Sequence, residues 1–232
     1  MRVKSLNGRW RSAIFHGIGI VLATTCTGTQ AAGFYISEVG TPLSLGTASA
    51  ANVTNTFGPD ATWTNPAGLV HLEDGIMFAG LQVIAPTMKW DTDIAEKGGV
   101  EGGNSGDAAV VPSFYYAQSL TDKWHFGFGF SALQGGGADY GDNFAGRYGT
   151  IDIALTGIGA TWSLGYEVND RLSVGFGASL IHATYEQDIA LNLGLLPDGK
   201  VKIKDADDTG VQPIVGLQYA LTDSLLLGIN YR

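Results

Sequence analysis

The stretch WHFGFGFSA leaves few folds open: Trp124, Phe126, Phe128, Phe130 and Ala132 alternate with His125, Gly127, Gly129 and Ser131. A repeat of two puts the two sets on opposite faces of a β-strand. Two later stretches repeat it. Leu172, Val174, Phe176, Ala178 and Leu180 alternate with Ser173, Gly175, Gly177 and Ser179, and Leu225, Leu227, Ile229 and Tyr231 alternate with Ser224, Gly228 and Asn230. A sandwich in water also alternates, but its outer face carries Lys, Glu and Asp. Here the polar face is Gly, Ser, Asn and Gln, so the pattern reads as a polar face turned inward and an apolar face turned to lipid.

The turns point the same way. Leu120-Thr121-Asp122-Lys123-Trp124, Val168-Asn169-Asp170-Arg171-Leu172 and Leu221-Thr222-Asp223-Ser224-Leu225 each join two strands by a tight turn containing Asp, with Gly127, Gly175 and Gly228 five residues after the aspartate. The hairpin is thus an internal repeat. The other connections, 91–109, 134–150 and 187–209, are long and rich in Gly, Asp, Asn and Lys. Short turns at one end and long polar loops at the other are the arrangement of an all-β, antiparallel transmembrane β-barrel with its loops outside. Strands are expected at about 75–90, 109–120, 124–134, 151–167, 172–186, 210–221 and 224–232. That count is odd, whereas single-chain bacterial barrels have even numbers, and the last strand reaches Tyr231-Arg232 without a closing partner. The expectation is a truncated barrel. Within 151–167 the apolar positions change parity near Leu155-Thr156, for which a β-bulge is the expected cause.

Residues 1–31 read as a secretory signal peptide: Arg2, Lys4, Arg9 and Arg11 without an acid, an apolar run from Ala13 to Ala23, then Thr29-Gln30-Ala31. The apolar run is shorter than the roughly 20 residues a spanning helix needs. Cleavage is expected after Ala31, which removes Cys26 and excludes thiol chemistry and disulfides from the mature chain. Without the leader, nine Lys and Arg face 22 Asp and Glu, a net charge of −13 that argues against nucleic acid as a partner.

Residues 32–74 lack the alternation and are not barrel wall. In TWTNPAGL, Asn65 suits an N-cap and Pro66 the first helical position, so PAGLVHLED is expected to make about two helical turns before Gly75.

The chain resembles the FadL/TodX family of outer-membrane transporters for long-chain fatty acids and other hydrophobic compounds. The similarity lies in AGFYISEVG, SLGTASAANV and DATWTNPAGL, then DNFAGRY (142–148) and YEVNDRLSVGFGASL (166–180). It implies a 14-stranded barrel, of which about seven strands are present, with 32–74 folded inside as a hatch and 75–232 as the first half of the wall. It implies residence in the outer membrane of a Gram-negative cell, as a monomer when complete. Passage is by diffusion, without a cofactor: outer loops collect the ligand, an inner apolar pocket holds it, and a shift of the hatch releases it. By the same resemblance Phe34 lines the pocket and Asn65, Pro66 and Ala67 are the hatch motif. The third strand bends to open a gap in the wall, with Gly127, Gly129, Gly135, Gly136 and Gly137 as gate residues. The family's proline-aromatic-glycine element is absent from SALQGGGADYG, which leaves Gly135-Gly136-Gly137 to supply the bend. Arg147 in GRY is a candidate for contact with a ligand carboxylate, against the plainer role of a loop salt bridge. Fatty acids and aromatic hydrocarbons both fit as cargo.

A barrel lipid enzyme is the rival function, and it needs a Ser, His and acid cluster. His71, His125 and His182 lie on separate elements and read as wall or hatch positions, not catalysts. No metal site is expected: DADDTG (205–210) begins like a calcium loop, but its twelfth position is Gly216 where a bidentate Glu is required, so it reads as a solvated loop. GFGF and GIGA lack the third glycine of a dinucleotide loop. A structural or adhesive barrel would not need the plug of 32–74.

Overall fold

The computed structural model describes residue 41 and residues 45–72, 75–93 and 98–232. The signal peptide, Cys26 and Phe34 lie outside the described residues. Seven strands form one antiparallel sheet in sequence order: β1 (Ile76–Ile84), β2 (Ala109–Ser119), β3 (Trp124–Asp139), β4 (Asp152–Asn169), β5 (Leu172–Leu191), β6 (Gly199–Thr222) and β7 (Leu225–Tyr231). β1 and β7 are the two edges of this sheet. The expected arrangement is therefore present: neighbouring strands are joined alternately by a tight turn and a long connection. No described helix is long and apolar enough to cross a membrane, which leaves crossing by strands open.

The alternation sorts the faces as expected. Trp124, Phe130, Trp162, Phe176, Leu180, Val215, Leu225, Leu227 and Ile229 are exposed, while Ser131, Thr161, Ser163, Ser173, Ser179 and Gln218 between them are buried on the inner face. The outer face carries aromatic pairs across the strands: Trp124 lies 4.6 Å from Tyr166 and 6.2 Å from Phe176, and Phe128 lies 5.6 Å from Trp162, centroid to centroid. On the inner face polar rungs join neighbouring strands. Tyr115 donates to Ser131 at 3.1 Å, and the hydroxyls of Thr161 and Ser179 meet at 2.6 Å.

Three expectations change. Three strands run further outward than the sequence indicated, whereas β1 stops at Ile84 short of the expected 90: β3 continues through Gly135-Gly136-Gly137, and β5 and β6 pair from Leu191↔Gly199 downward, so DADDTG lies in a strand instead of a loop. Ladder pairing overrides the polar composition of these segments because the two long hairpin arms supply each other's hydrogen bonds, with one register shift between Tyr185 and Gln187. The bulge lies across the ladder from its expected place. β4 pairs with β5 without a break from Asp152 to Glu167, and the extra residue is Leu133 of β3, between Ala132↔Ile158 and Gln134↔Gly157. Ile153 therefore shares the inner face, where it packs with Met88 against Ala138, Tyr140 and Phe144 beneath the outer connections. The apolar parity changes because the inner face itself becomes apolar there. Finally, PAGLVHLED forms a 3₁₀ helix, Pro66–His71, that ends at the extended Leu72 instead of two α-turns.

The core sits between the sheet and the segment before β1. A short helix α1 (Ala61–Thr64) is wholly buried, and Trp63 packs with Tyr115, Leu133, Ile181, Ile214 and Phe78 from five different strands. Leu69 and Ala61 pack with Leu72, Ala117 and Ile76. Because α1, Pro66–His71 and the 3₁₀ turn Asn52–Thr54 together touch every strand from β2 to β7, the sheet curls around them.

Candidate functional site

The site grows from Asn65. Its backbone is extended (φ −166°, ψ 103°), which ends α1 and starts the 3₁₀ helix behind Pro66. Asn65 Oδ1 accepts the amide of Ala67 at 3.1 Å, the N-cap bond the sequence led one to expect. The other half of the side chain does more. Asn65 Nδ2 donates to the Val53 carbonyl at 2.6 Å and reaches the carbonyls of Leu217 and Ile229, each at 3.3 Å. Leu217 and Ile229 are ladder partners on β6 and β7, so the amide is inserted at a rung of the wall. Two wall amides return the contact: Gln218 Nε2 donates to Val53 O at 3.2 Å and Asn55 O at 3.3 Å, and Asn230 Nδ2 donates to Thr64 O at 2.5 Å. Asn55 is itself fully buried, with Oδ1 accepting from the amides of Phe57 and Gly58 at 3.2 Å each. Backbone carbonyls of an irregular segment need such donors once water is gone.

The remaining contacts depend on missing side chains. Pro66 and Ala67 lie against Gly175, and a Cβ there would overlap both; at Gly216 it would overlap Asn65 Oδ1. A Cβ at Gly165 would come within 2.7 Å of Pro66 O and 3.1 Å of Leu69 Cβ. The glycines of the alternation thus form the seat of the segment. Amides hold it on the β6 and β7 side, and close backbone approach holds it over β3 to β5.

Asn65, Pro66 and Ala67 therefore come together in one buried contact with four strands. Gly127 lies beneath Thr62 and Leu69, and Gly129 beneath the Tyr115 ring. Gly135, Gly136 and Gly137 are ladder residues opposite Thr156, Leu155 and Ala154. Their other side differs. The β2–β3 ladder ends at Ser113↔Ser131, although β2 goes on pairing with β1 as far as Ala109 and β3 with β4 as far as Asp139. The next β2 residue, Pro112, has no N–H to donate, and the bulged Leu133 turns inward. Among the described residues, β3 is next joined on that side through Gly106↔Ala138, a single bridge from the β1–β2 connection.

Arg147 stands apart, in the β3–β4 connection. The carboxylate it faces is the chain's own Asp198, at 2.9 Å. That bond, ahead of other effects, raises the pKa of the guanidinium.

Sequence reading missed Gln218, Asn230 and Asp198. The first two occupy the polar set of β6 and β7, where an amide among Gly and Ser was the available signal; Asp198 gave none. It also missed a contact between Ser119 Oγ and His125 Nδ1 at 3.2 Å, formed because the two residues are register partners across β2 and β3. His125 is only 7% exposed, so the pair reads as another inner rung. His182 also meets its register partner Thr209, at 3.0 Å, but on the exposed face of the sheet. Among the described residues no group of three or more His, Cys, Asp and Glu is placed to hold a metal ion.

Comparison with known proteins places this architecture. Residues 21–232 match the profile of the family described as outer membrane protein transport protein (OMPP1/FadL/TodX). Outer membrane protein P1 of Haemophilus influenzae strain Rd is 25% identical over 187 residues, covering 74% of this chain and 40% of that protein. A FadL homologue of Pseudomonas aeruginosa superposes with a TM-score of 0.65 at 22% identity, over 85% of this chain and 52% of that one. The Pseudomonas putida toluene transporter TodX gives 0.54 at 19% identity, over 74% and 49%. The chain thus spans about half the length of these structures and 40% of the curated relative. With a matching profile over nearly its whole length and a sheet shared with solved barrels, the chain belongs to the OMPP1/FadL/TodX family of outer-membrane β-barrel proteins.

Proposed function

We propose that the protein admits hydrophobic small molecules, fatty acids or aromatic hydrocarbons, through the outer membrane by diffusion and without chemistry on the cargo. The observation that carries this reading is the buried segment around Asn65, fastened by side-chain amides and seated on glycines. Such a plug fills the interior with many individually modest contacts and is separable from the strand ladders. In this reading residues 1–31 are the export signal, 32–74 the hatch and 75–232 wall. Phe34 contributes to the ligand pocket. The apolar outer face meets lipid, the barrel works as a monomer, and no cofactor takes part. The interrupted β2–β3 ladder supports a lateral gate: between Ser131 and Ala138 the β3 edge lacks its β2 partner, and Gly135, Gly136 and Gly137 lie along that stretch. Gly127 and Gly129, below it, are where the hatch bears on the gate strand.

The test is uptake by cells producing the protein compared with cells lacking it, using oleate and toluene in parallel at equal barrel abundance. Faster entry of either supports the reading and selects the cargo. Equal entry of both compounds with and without the protein would refute it, and would favour a structural or adhesive barrel.

A further inference from the structure

We propose that Arg147 is the positioning residue of the outer mouth. One guanidinium holds three connections together: β1–β2 (85–108), β3–β4 (140–151) and β5–β6 (192–198). The inference rests on the transport reading above and names the residue that sets the geometry of ligand entry.

Arg147 Nε donates to Asp198 Oδ2 at 2.9 Å, tying the β5–β6 connection. One terminal nitrogen donates to Gly98 O at 2.9 Å, tying the β1–β2 connection, and to Phe144 O at 3.2 Å within its own loop. The other donates to the Tyr148 hydroxyl at 3.0 Å, which passes a hydrogen bond to both Asp198 oxygens at 2.9 Å. The Arg147 carbonyl accepts from Ala190 of β5 at 2.9 Å. The side chain is 10% exposed, and its planar fork of donors suits several acceptors at once in a way an ammonium does not. The surroundings are built for this approach. Val100 bridges Phe144, and a Cβ on Gly99 would stand 2.8 Å from the Ala145 backbone.

The clamp joins two apolar features. Phe144 stacks on Tyr140 at 4.7 Å and Trp90 meets Tyr140 edge-on at 5.9 Å, both centroid to centroid, and this cluster lies in the loops Arg147 ties through Gly98 and Phe144. Asp198 belongs to the connection carrying Leu193, Leu195 and Leu196, all exposed. Arg147 therefore fixes the leucine-bearing loop relative to the aromatic cluster, and those loops are where the transport reading places ligand capture. Lys200 also links the β3–β4 connection to the hairpin through Asp142 at 2.7 Å, but Asp142 is 78% exposed, so water screens that pair far more than the Arg147 contacts.

The experiment uses the protein in the outer membrane and compares Arg147→Gln, Arg147→Lys and Asp198→Asn with the parent. Hydrogen exchange at 98–100 and 190–198 reads the clamp; the concentration dependence of oleate and toluene uptake reads its role. Arg147→Gln is expected to speed loop exchange about tenfold or more while ladder amides of β3 to β6 stay protected. It should raise the half-saturating ligand concentration several-fold at unchanged maximal rate. Arg147→Lys, which keeps the charge but not the fork, should fall between, and Asp198→Asn should resemble Gln. Unchanged loop exchange, or faster exchange with unchanged half-saturation, overturns the proposal. A parent that admits neither compound defeats the transport reading and the positioning role with it, an outcome recognisable from the parent alone.

Discussion

The side-chain nitrogen of Asn65 lies 3.3 Å from the backbone carbonyl of Ile229, 164 residues away in the chain, while its oxygen caps Ala67 two residues on. One side chain therefore performs a local and a long-range task, and the two can be separated. Asn65→Asp keeps an oxygen for the cap but loses the donor and places a carboxylate among the carbonyls of Val53, Leu217 and Ile229. If the cap alone matters, Asp is harmless. The structure predicts that Asp is at least as damaging as Ala, with the hatch weakened by about 1 to 3 kcal/mol. Protection of amides 52–71 against hydrogen exchange measures this, with strand amides as the internal reference.

The glycine seat makes a steric prediction. Gly175→Val puts a branched side chain where Pro66 and Ala67 lie, and both neighbours are backbone atoms that move only with the whole segment. Overpacking of this kind costs about 1 to 3 kcal/mol. The hatch should be displaced while β5 keeps its pairing with β4 and β6. Increased proteolysis before β1, with undiminished heat-resistant barrel on a gel, is the expected pattern.

Phe176 tests the outer face. It is 47% exposed beside Trp124 on the face away from the buried segment, at the fifth residue of β5, a strand bonded on both sides. Phe176→Arg should destabilise the folded barrel in lipid by about 2 to 4 kcal/mol if the position is near mid-bilayer, and Phe176→Leu by much less. Urea titration in phospholipid vesicles would show it, and equal midpoints for Arg and Leu would contradict the assignment of faces.

In the β5–β6 hairpin, Asp205 has a positive φ of 54° where the ladder shifts between Tyr185 and Gln187. Aspartate tolerates that region better than most residues, but glycine has no Cβ to strain. Asp205→Gly is expected to be neutral or to stabilise the hairpin by up to about 1 kcal/mol, whereas Asp205→Val should loosen it. Exchange rates of the amides 199–204 distinguish the two.

What the sequence determined by itself was everything set by period and by local chemistry. Alternation in WHFGFGFSA and its counterparts placed the strands and their faces, because side-chain direction along a strand follows from backbone geometry alone. The Asp-bearing turns assigned the short ends, and Asn65-Pro66 marked a capped turn because a cap is made within three residues. What the tertiary structure decided were the relations between distant residues. Leu133 bulges on β3 and turns into the core while β4 runs unbroken, and the parity change seen in β4 came from the apolar cluster that Met88, Tyr140 and Phe144 of the connections build with Ile153 on its inner face. β5 and β6 extend through charged sequence because each supplies the other's hydrogen bonds. Asn65 meets Leu217 and Ile229, and Arg147 meets Asp198 and Gly98, only because strand order and curvature bring those backbones together; no spacing along the chain encodes a contact whose partners are fixed by the curl of the sheet.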